Sequence, residues 1–391
     1  MTFNPDWQRL YQQMCDWRAA IHRYPELSHQ ETATTEYIVQ QLSTFPALQI
    51  TRPAPTGVVV RLKGAHPGRT IAFRADIDAL PVTEKTGLPF QSIRPGLMHA
   101  CGHDMHTAML MGAASMLADC QQRLKGELLF IFQRGEEMSP GGAKELVESG
   151  ALQGVGMFFA LHVLPALACG TIALKRGIAT ANRDTFNIRL QGKGGHSSMP
   201  HLLVDPCVAA AETLLALQTI VSREVNPRDS AVLSVCSLVC GDGTTAAIPD
   251  DARLCGTNRT FSVSVRRQLK QAITRIVQGV ALAHRCDAEV IFDDWDYSAI
   301  VNDEGLCDIA ADVIRHLVGE SGLRLEPEPM CVGEDFSEYQ ALAPVCFAWL
   351  GVGSGQGEQP ALHNAHFNPR QEAMLLGLKY YVELARRLVM S

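Results

Sequence analysis

Residues 98–106 read Met-His-Ala-Cys-Gly-His-Asp-Met-His, which gathers one thiol (Cys101), three imidazoles (His99, His103, His106) and one carboxylate (Asp104) within nine positions. Thiolate and neutral imidazole are the ligands that zinc and similar transition metals prefer. The Cys101-x-His103 spacing is too short for two ligands one helical turn apart. If both reach one site, they do so from an extended or turning segment just ahead of a helix. That helix is expected over 107–122, rich in Ala, Met and Leu, with Gly112 where packing is close. A lone Cys-x-His is equally compatible with a buried thiol beside capping histidines, so ligands elsewhere must decide.

Three later segments offer them. Glu136-Glu137 follow an apolar run over 126–132 that reads as a strand. His162 closes a second run over 156–161, and His363 follows the glycine-rich stretch 351–357. Taken singly, the glutamates read as a solvated pair and His162 as a satisfied core histidine. Together Cys101, His103, Glu137, His162 and His363 supply sulfur, nitrogen and oxygen donors sufficient for two closely spaced divalent metals with open positions.

The elements that must carry these residues follow from pattern and length. A chain of 391 residues, 47% hydrophobic and 19% charged, exceeds one comfortable core and suggests two globular domains. A net charge of −7 with pI near 6.0 argues against nucleic acid as a partner. Residues 1–10 are too polar for a secretory signal, and no run of 18 apolar residues spans a membrane. Twelve dispersed cysteines, several in apolar runs (Cys207, Cys236, Cys240, Cys346), read as small buried hydrophobes in a reduced, cytoplasmic protein.

Residues 6–42 read as two helices broken at Pro25, with Ser28 capping the second. Strands at 57–62, 70–76, 126–132 and 156–161 alternate with helices, so an α/β sheet with polar residues at its strand ends is expected. From residue 184 the pattern becomes βαββαβ, a ferredoxin-like α+β unit. The expected organisation is a discontinuous α/β domain, 1–180 with 296–391, interrupted by a smaller domain over 181–295.

The motifs at 99–108 and 135–137, Leu161-His162-Val163, the run 194–201 beginning Gly-Gly-His, and 333–336 resemble the amidohydrolase branch of peptidase family M20. That branch holds N-acyl-amino-acid amidohydrolases, hippurate hydrolases and auxin-conjugate hydrolases, and the resemblance runs along nearly the whole chain. It implies a metal-binding α/β catalytic domain with an inserted lid that mediates homodimerisation. It also implies two divalent ions (Zn, Mn, Co or Ni) on Cys101, His103, Glu137, His162 and His363, with Glu136 as general base. His196 would bind the carbonyl oxygen or oxyanion across a dimer interface. Asp76, Asp78 or Asp104 can orient a ligand from behind, and Arg259 can pair with a substrate α-carboxylate. The chain departs from the family pattern at Asn258, where an apolar residue is usual, and at Arg134-Gly135, where Pro-Ala is usual.

The implied substrate is a small N-acyl amino acid or amide conjugate. A dipeptidase uses the same metals, and a metal-dependent binding protein would have no use for Glu136. A redox role for Cys101 is a further reading.

Overall fold

In the computed structural model, which describes residues 6–293, 297–357 and 359–390, Met14, Trp17 and Ile21 form the buried stripe of helix α1 (Trp7–Arg23). Ser28 does not cap the next helix. Glu31 precedes α2 (Thr32–Leu42), and the Ser28 hydroxyl turns inward to donate to Asp78 Oδ2 at 2.6 Å. Strands β1 (Leu48–Thr51), β2 (Val58–Lys63) and β3 (His66–Asp76) follow.

Helix α3 (His103–Ala118) starts at His103 rather than at Thr107. The reason is Gly102, whose φ of +87° is a left-handed conformation that glycine adopts without a Cβ clash. His103 is thus the first helical residue, and Cys101 lies on the turn before it. All 16 residues of α3 are buried, so the helix is covered on every side, its polar residues included. A Cβ on Gly112 would lie 2.8 Å from Met14 Sδ, which places the close crossing with α1 there.

Strand β4 (Lys125–Gln133), helix α4 (Gly142–Glu148) and strands β5 (Met157–Ala168), β6 (Ile172–Leu174) and β7 (Gly177–Ile178) complete the first part. His162 does not end its strand. It pairs in register with Trp349, and the ladder continues to Ala168 because the partner strand runs on beside it.

The second part consists of β8 (Asn182–Gln191), β9 (Gly195–His196), α5 (Pro206–Thr219), β10 (Ala231–Cys240), β11 (Ala247–Ile248), β12 (Asp251–Thr260), α6 (Val263–Ala283) and β13 (Asp287–Phe292). Its sheet runs β10-β12-β8-β13, antiparallel throughout. One face packs Phe186, Ile188, Leu190 and Leu254 against Leu217, Leu269 and Ile273 of the helices. Two of the cysteines expected to be buried hydrophobes are joined instead: Cys207 and Cys240 form a disulfide, with Cα atoms 5.7 Å apart. Cys236 is exposed, because it lies on the outer strand β10.

The chain then adds β14 (Val301–Asn302), α7 (Glu304–Gly322), β15 (Leu323–Leu325), β16 (Val345–Gly353) and α8 (Ala373–Val389). The large sheet has the order β1-β2-β4-β3-β5-β16-β6-β15. Its central strands β4, β3, β5 and β16 are parallel. The chain divides into a larger unit, Met1–Ala179 with Ile300–Pro329 and Asp335–Ser391, and a smaller one, Thr180–Ala299 with Met330–Glu334. Thr180 bridges to Met330 and Ala181 N donates to Val332 O, which ties that last short segment to the smaller unit. The domain boundary expected at 295–296 falls outside the described residues. Among the described residues no helix is long and apolar enough to cross a membrane.

Candidate metal centre

The parallel strands β3, β4 and β5 run in one direction, so the residues at and beyond their C-terminal ends collect at one edge of the sheet. Asp76 ends β3, Glu136 and Glu137 follow β4, and His162 lies within β5. Gly102 brings Cys101 and His103 in from the start of α3. His363 approaches from the loop after β16 with φ +65°, a conformation rare for a residue with a side chain, and its N–H donates to Ala100 O at 2.8 Å.

The polar atoms of these side chains crowd together. Cys101 Sγ is 3.4 Å from His162 Nε2. Glu137 Oε1 lies 3.1 Å from His363 Nε2 and 3.8 Å from His103 Nε2. His103 Nε2 is 3.6 Å from Asp76 Oδ2. Ligating atoms of Cys101, His103 and Glu137 fall within 4.8 Å of one another, as do those of Asp76, His103, His106 and His162. His103 Nε2 and Glu137 Oε1 are buried with no hydrogen-bond partner. Orphaned buried atoms of this kind are costly unless something fills the gap.

The outer nitrogens explain which way each imidazole is aimed. His103 Nδ1 donates to the Asp78 carbonyl at 3.0 Å and lies 3.1 Å from Asp78 Oδ1, which turns Nε2 inward, toward Asp76 and Glu137. His162 Nδ1 donates to Val163 O at 2.8 Å, which turns its Nε2 toward Cys101. Asp78 Oδ2 also accepts the Glu137 N–H at 2.9 Å, so one carboxylate fixes two of the expected ligands.

His106, in the same motif but given no role by spacing alone, is committed elsewhere. Its Nε2 accepts the Val163 N–H at 2.9 Å and its Nδ1 donates to Asp76 Oδ1 at 2.6 Å. Asp104 is engaged by α1. Its Oδ2 accepts from Arg18 Nε and His22 Nδ1, both at 2.9 Å, because the first turn of α3 presents it to α1.

The electrostatics have one sign. Burial raises the Cys101 thiol well above its ordinary value, and the charges of Glu137, Glu136 and Asp76 raise it further. Burial opposes charge on His103, but Asp76, Asp78 and Glu137 overcome it and push the imidazole up to about 10. Burial also works against ionising Asp76, and His103, His106 and Arg74 outweigh it, holding the carboxyl well below its usual range. A cluster of carboxylates, a thiol and imidazoles held from behind is a setting suited to divalent cations. The residues fit such a group by donor type and by their unpartnered atoms.

Glu136 is 7% exposed, next to Glu137. The remaining candidates belong to the smaller unit. His196 is exposed on β9, its Nδ1 3.0 Å from Ser198 Oγ. Arg259 Nη1 donates to Thr257 Oγ1 at 2.5 Å and to the Asn258 carbonyl at 2.9 Å. Asn258 is fully buried on the helix-covered face, with both side-chain amide atoms unpartnered.

The sequence profile of Peptidase family M20/M25/M40 matches residues 72–387. This chain belongs to that family. An N-acyl-L-amino acid amidohydrolase of Geobacillus stearothermophilus is 42% identical over 290 residues, 74% of this chain and 78% of the relative. An N-acetyl-L-cysteine deacetylase of Bacillus subtilis is 39% identical over 385 residues, 98% of this chain and 89% of the relative. A solved dinuclear metal-binding M20 peptidase from Bacillus subtilis superposes with a TM-score of 0.82 at 34% identity, covering 97% of this chain and 98% of that one.

Two residues behind the site could not be found from spacing. Glu31 accepts N–H groups from His29 at 2.7 Å and Gly135 at 2.8 Å and a hydroxyl from Thr56 at 2.7 Å, anchoring the turn that leads to Glu136. Ser28 holds Asp78. Their only sequence signal is that polar side chains sit on either side of a Pro25-broken helix pair.

Proposed function

We propose that this M20 protein hydrolyses the amide bond of N-acyl amino acids or related conjugates, with Glu136 as general base. The observation that carries the reading is the cluster of buried His103 Nε2 and Glu137 Oε1, neither hydrogen-bonded, with Cys101 and His162, and with His363 Nε2 3.1 Å from Glu137 Oε1. The names of the M20 relatives support the substrate class.

Cys101, His103, Glu137, His162 and His363 would hold two divalent ions, zinc, manganese, cobalt or nickel by donor type. The chemistry supplied by such ions is Lewis acidity, which brings a water pKa down to about 7 and polarises a carbonyl. Asp76 sits among these ligands and Asp78 locks the tautomer of His103. Glu136 takes the proton of the attacking water on its carboxylate and delivers it to the leaving nitrogen. Its burial keeps competing water away and strengthens that contact. His196 donates a hydrogen bond to the oxyanion, and Arg259 pairs with the α-carboxylate of the amino-acid half.

The larger unit is then the catalytic domain and the smaller one a lid that also makes a homodimer, with His196 supplied by the partner subunit. The bare edge strand β10, with Val232 and Leu238 exposed, and the exposed Val208 and Leu215 of α5 support that contact. Sedimentation of the wild type and of Val232→Glu tests it.

Turnover is tested with N-acetyl, N-benzoyl and indole-acyl amino acids after metal removal and re-addition. Release of the free amino acid from at least one, restored by a divalent ion, is expected. No turnover on any, with hydrolysis of free dipeptides instead, would hand the site to the dipeptidase reading.

A further inference from the structure

The Cys207–Cys240 bond plays no part in the chemistry above, yet it stands beside the segment that carries His196. Cys207 is the second residue of α5 and Cys240 the last of β10, 33 residues apart in sequence. The same two stretches of chain clamp β9 from both sides. On one side Lys193 and Val204 exchange backbone hydrogen bonds at 2.9 and 3.0 Å, just ahead of α5. On the other, Ala247 pairs with His196, and Ser197 N donates to Ala246 O at 3.0 Å, a short loop beyond Cys240. Gly194 N donates to Asp250 Oδ1 at 2.8 Å, and a Cβ there would meet Ile248 O at 2.6 Å, so the backbones touch. A cavity of about 830 Å³ opens onto the bond, lined by Gly194, Gly195, Cys207, Cys240 and the 241–244 turn among others.

We propose that Cys207–Cys240 is a reversible thiol–disulfide exchange site for small thiols, and that the closed bond braces the His196 segment. The functional half of this rests on the role given to His196 above. In the exchange a small-molecule thiolate attacks Cys240 Sγ, the protein S–S bond breaks, and its electron pair leaves on Cys207. A second small thiolate then attacks the mixed disulfide and releases Cys240. The protein gains two electrons and two protons, and two small thiols become one small disulfide. Cys207 is the better leaving group because it lies in the first turn of a 14-residue helix, whose amide dipoles favour a thiolate. The cavity also selects the reagent. Asp251 is paired with Arg253 and Arg189, which leaves Asp242 and Asp250 as the excess charge on the lining, so a cationic thiol enters more readily than an anionic one.

The experiment uses the metal-loaded full chain, oxidised, against the same protein treated with cysteamine or with glutathione. Opening is read by differential alkylation and peptide mass, and backbone motion by hydrogen exchange over 192–198. Cysteamine is expected to open the bond severalfold faster than glutathione, with the gap shrinking as salt rises. Exchange over 192–198 should rise about 10-fold on opening. The kcat should fall about 10-fold at unchanged KM and recover on re-oxidation. The Cys207→Ser/Cys240→Ser double variant should match the reduced wild type, and the reduced wild type alone carries the test if that variant does not fold. Alkylation of both cysteines in aerobically purified protein before any reductant overturns the proposal, as does exchange that stays unchanged on opening. If exchange rises while kcat holds, and His196→Ala is equally silent, the brace stands and the role of His196 falls.

Discussion

Two groups of buried ionisable side chains in this molecule look alike on a list and differ in how they are satisfied. In the smaller unit Asp184, fully buried, accepts from Arg266 at 2.7–3.0 Å and pairs with Lys270 at 2.6 Å. Its charge is met by fixed side-chain cations, and it needs nothing from outside. In the larger unit Asp76, Asp78, Glu136, Glu137 and Cys101 share a space with imidazoles whose outer nitrogens are locked to carbonyl and carboxylate oxygens. There the inward nitrogen of His103 and an oxygen of Glu137 make no hydrogen bond, although Glu137 Oε1 lies 3.1 Å from His363 Nε2. Buried charge by itself therefore marks structure. Buried ligand-type atoms crowded together and fixed from behind, without hydrogen bonds of their own, mark a place for a cation.

The largest expected effect separates chemistry from binding inside the second group. Glu136→Gln should lose about 10²–10⁴-fold in kcat, the range for removing a general base, while metal content measured by mass spectrometry stays at the wild-type level. A variant that loses its metal together with activity would make Glu136 a ligand. Asp184→Asn tests the other side of the contrast. Two cations lose their buried partner, and chemical denaturation should show a loss of about 2–3 kcal/mol, reduced from a fully buried pair because Arg266 and Lys270 reach solvent. Metal stoichiometry should not change. Asp78→Asn comes next. It weakens the support of both His103 and the Glu137 backbone, and metal affinity by competition with a chelator should drop about 10–100-fold.

How much of this was legible in advance depends on how local the cause is. Cys101, His103, Glu136, Glu137, His162 and His363 stand out because their types are uncommon at strand ends and their motifs are short. Spacing places the start of α3 late because Gly102 does the capping through its φ, where spacing rules look for Ser, Thr, Asp or Asn. His162 reads as a strand end because its polarity hides a ladder that β16 dictates from nearly 200 residues away. Ser28, Glu31, Arg18 and His22 act on the site through contacts between α1, the following turn and the 76–137 region, and nothing in their spacing announces that. The Cys207–Cys240 pair is of the same kind, since a separation of 33 residues follows no motif.

The smallest effect comes from a third cluster, which falls between the two. Asp104 is held by Arg18 and His22, and His22 Nε2 reaches Glu84 at 3.2 Å. Two acids meet two bases, so this cluster resembles the one around Asp184, although it adjoins the turn that carries Cys101 and His103. Burial opposes charge on His22, but Asp104 and Glu84 outweigh it and raise the imidazole from an ordinary 6.5 to about 9. A base whose folded value is raised gives stability that is complete below its unfolded value. That stability is lost as pH climbs through the folded value. Unfolding free energy should therefore decline between about pH 6.5 and 9, by no more than about 1.4 kcal/mol per pH unit, the limit for one proton. His22→Gln should be less stable at pH 6 and should lose that part of the slope, measured by urea denaturation as the difference from wild type. Equal slopes in the two proteins would mean that His22 is neutral in the fold. The charge on Asp104 would then rest on Arg18 alone, and the contrast between balanced and unbalanced clusters would lose its middle case.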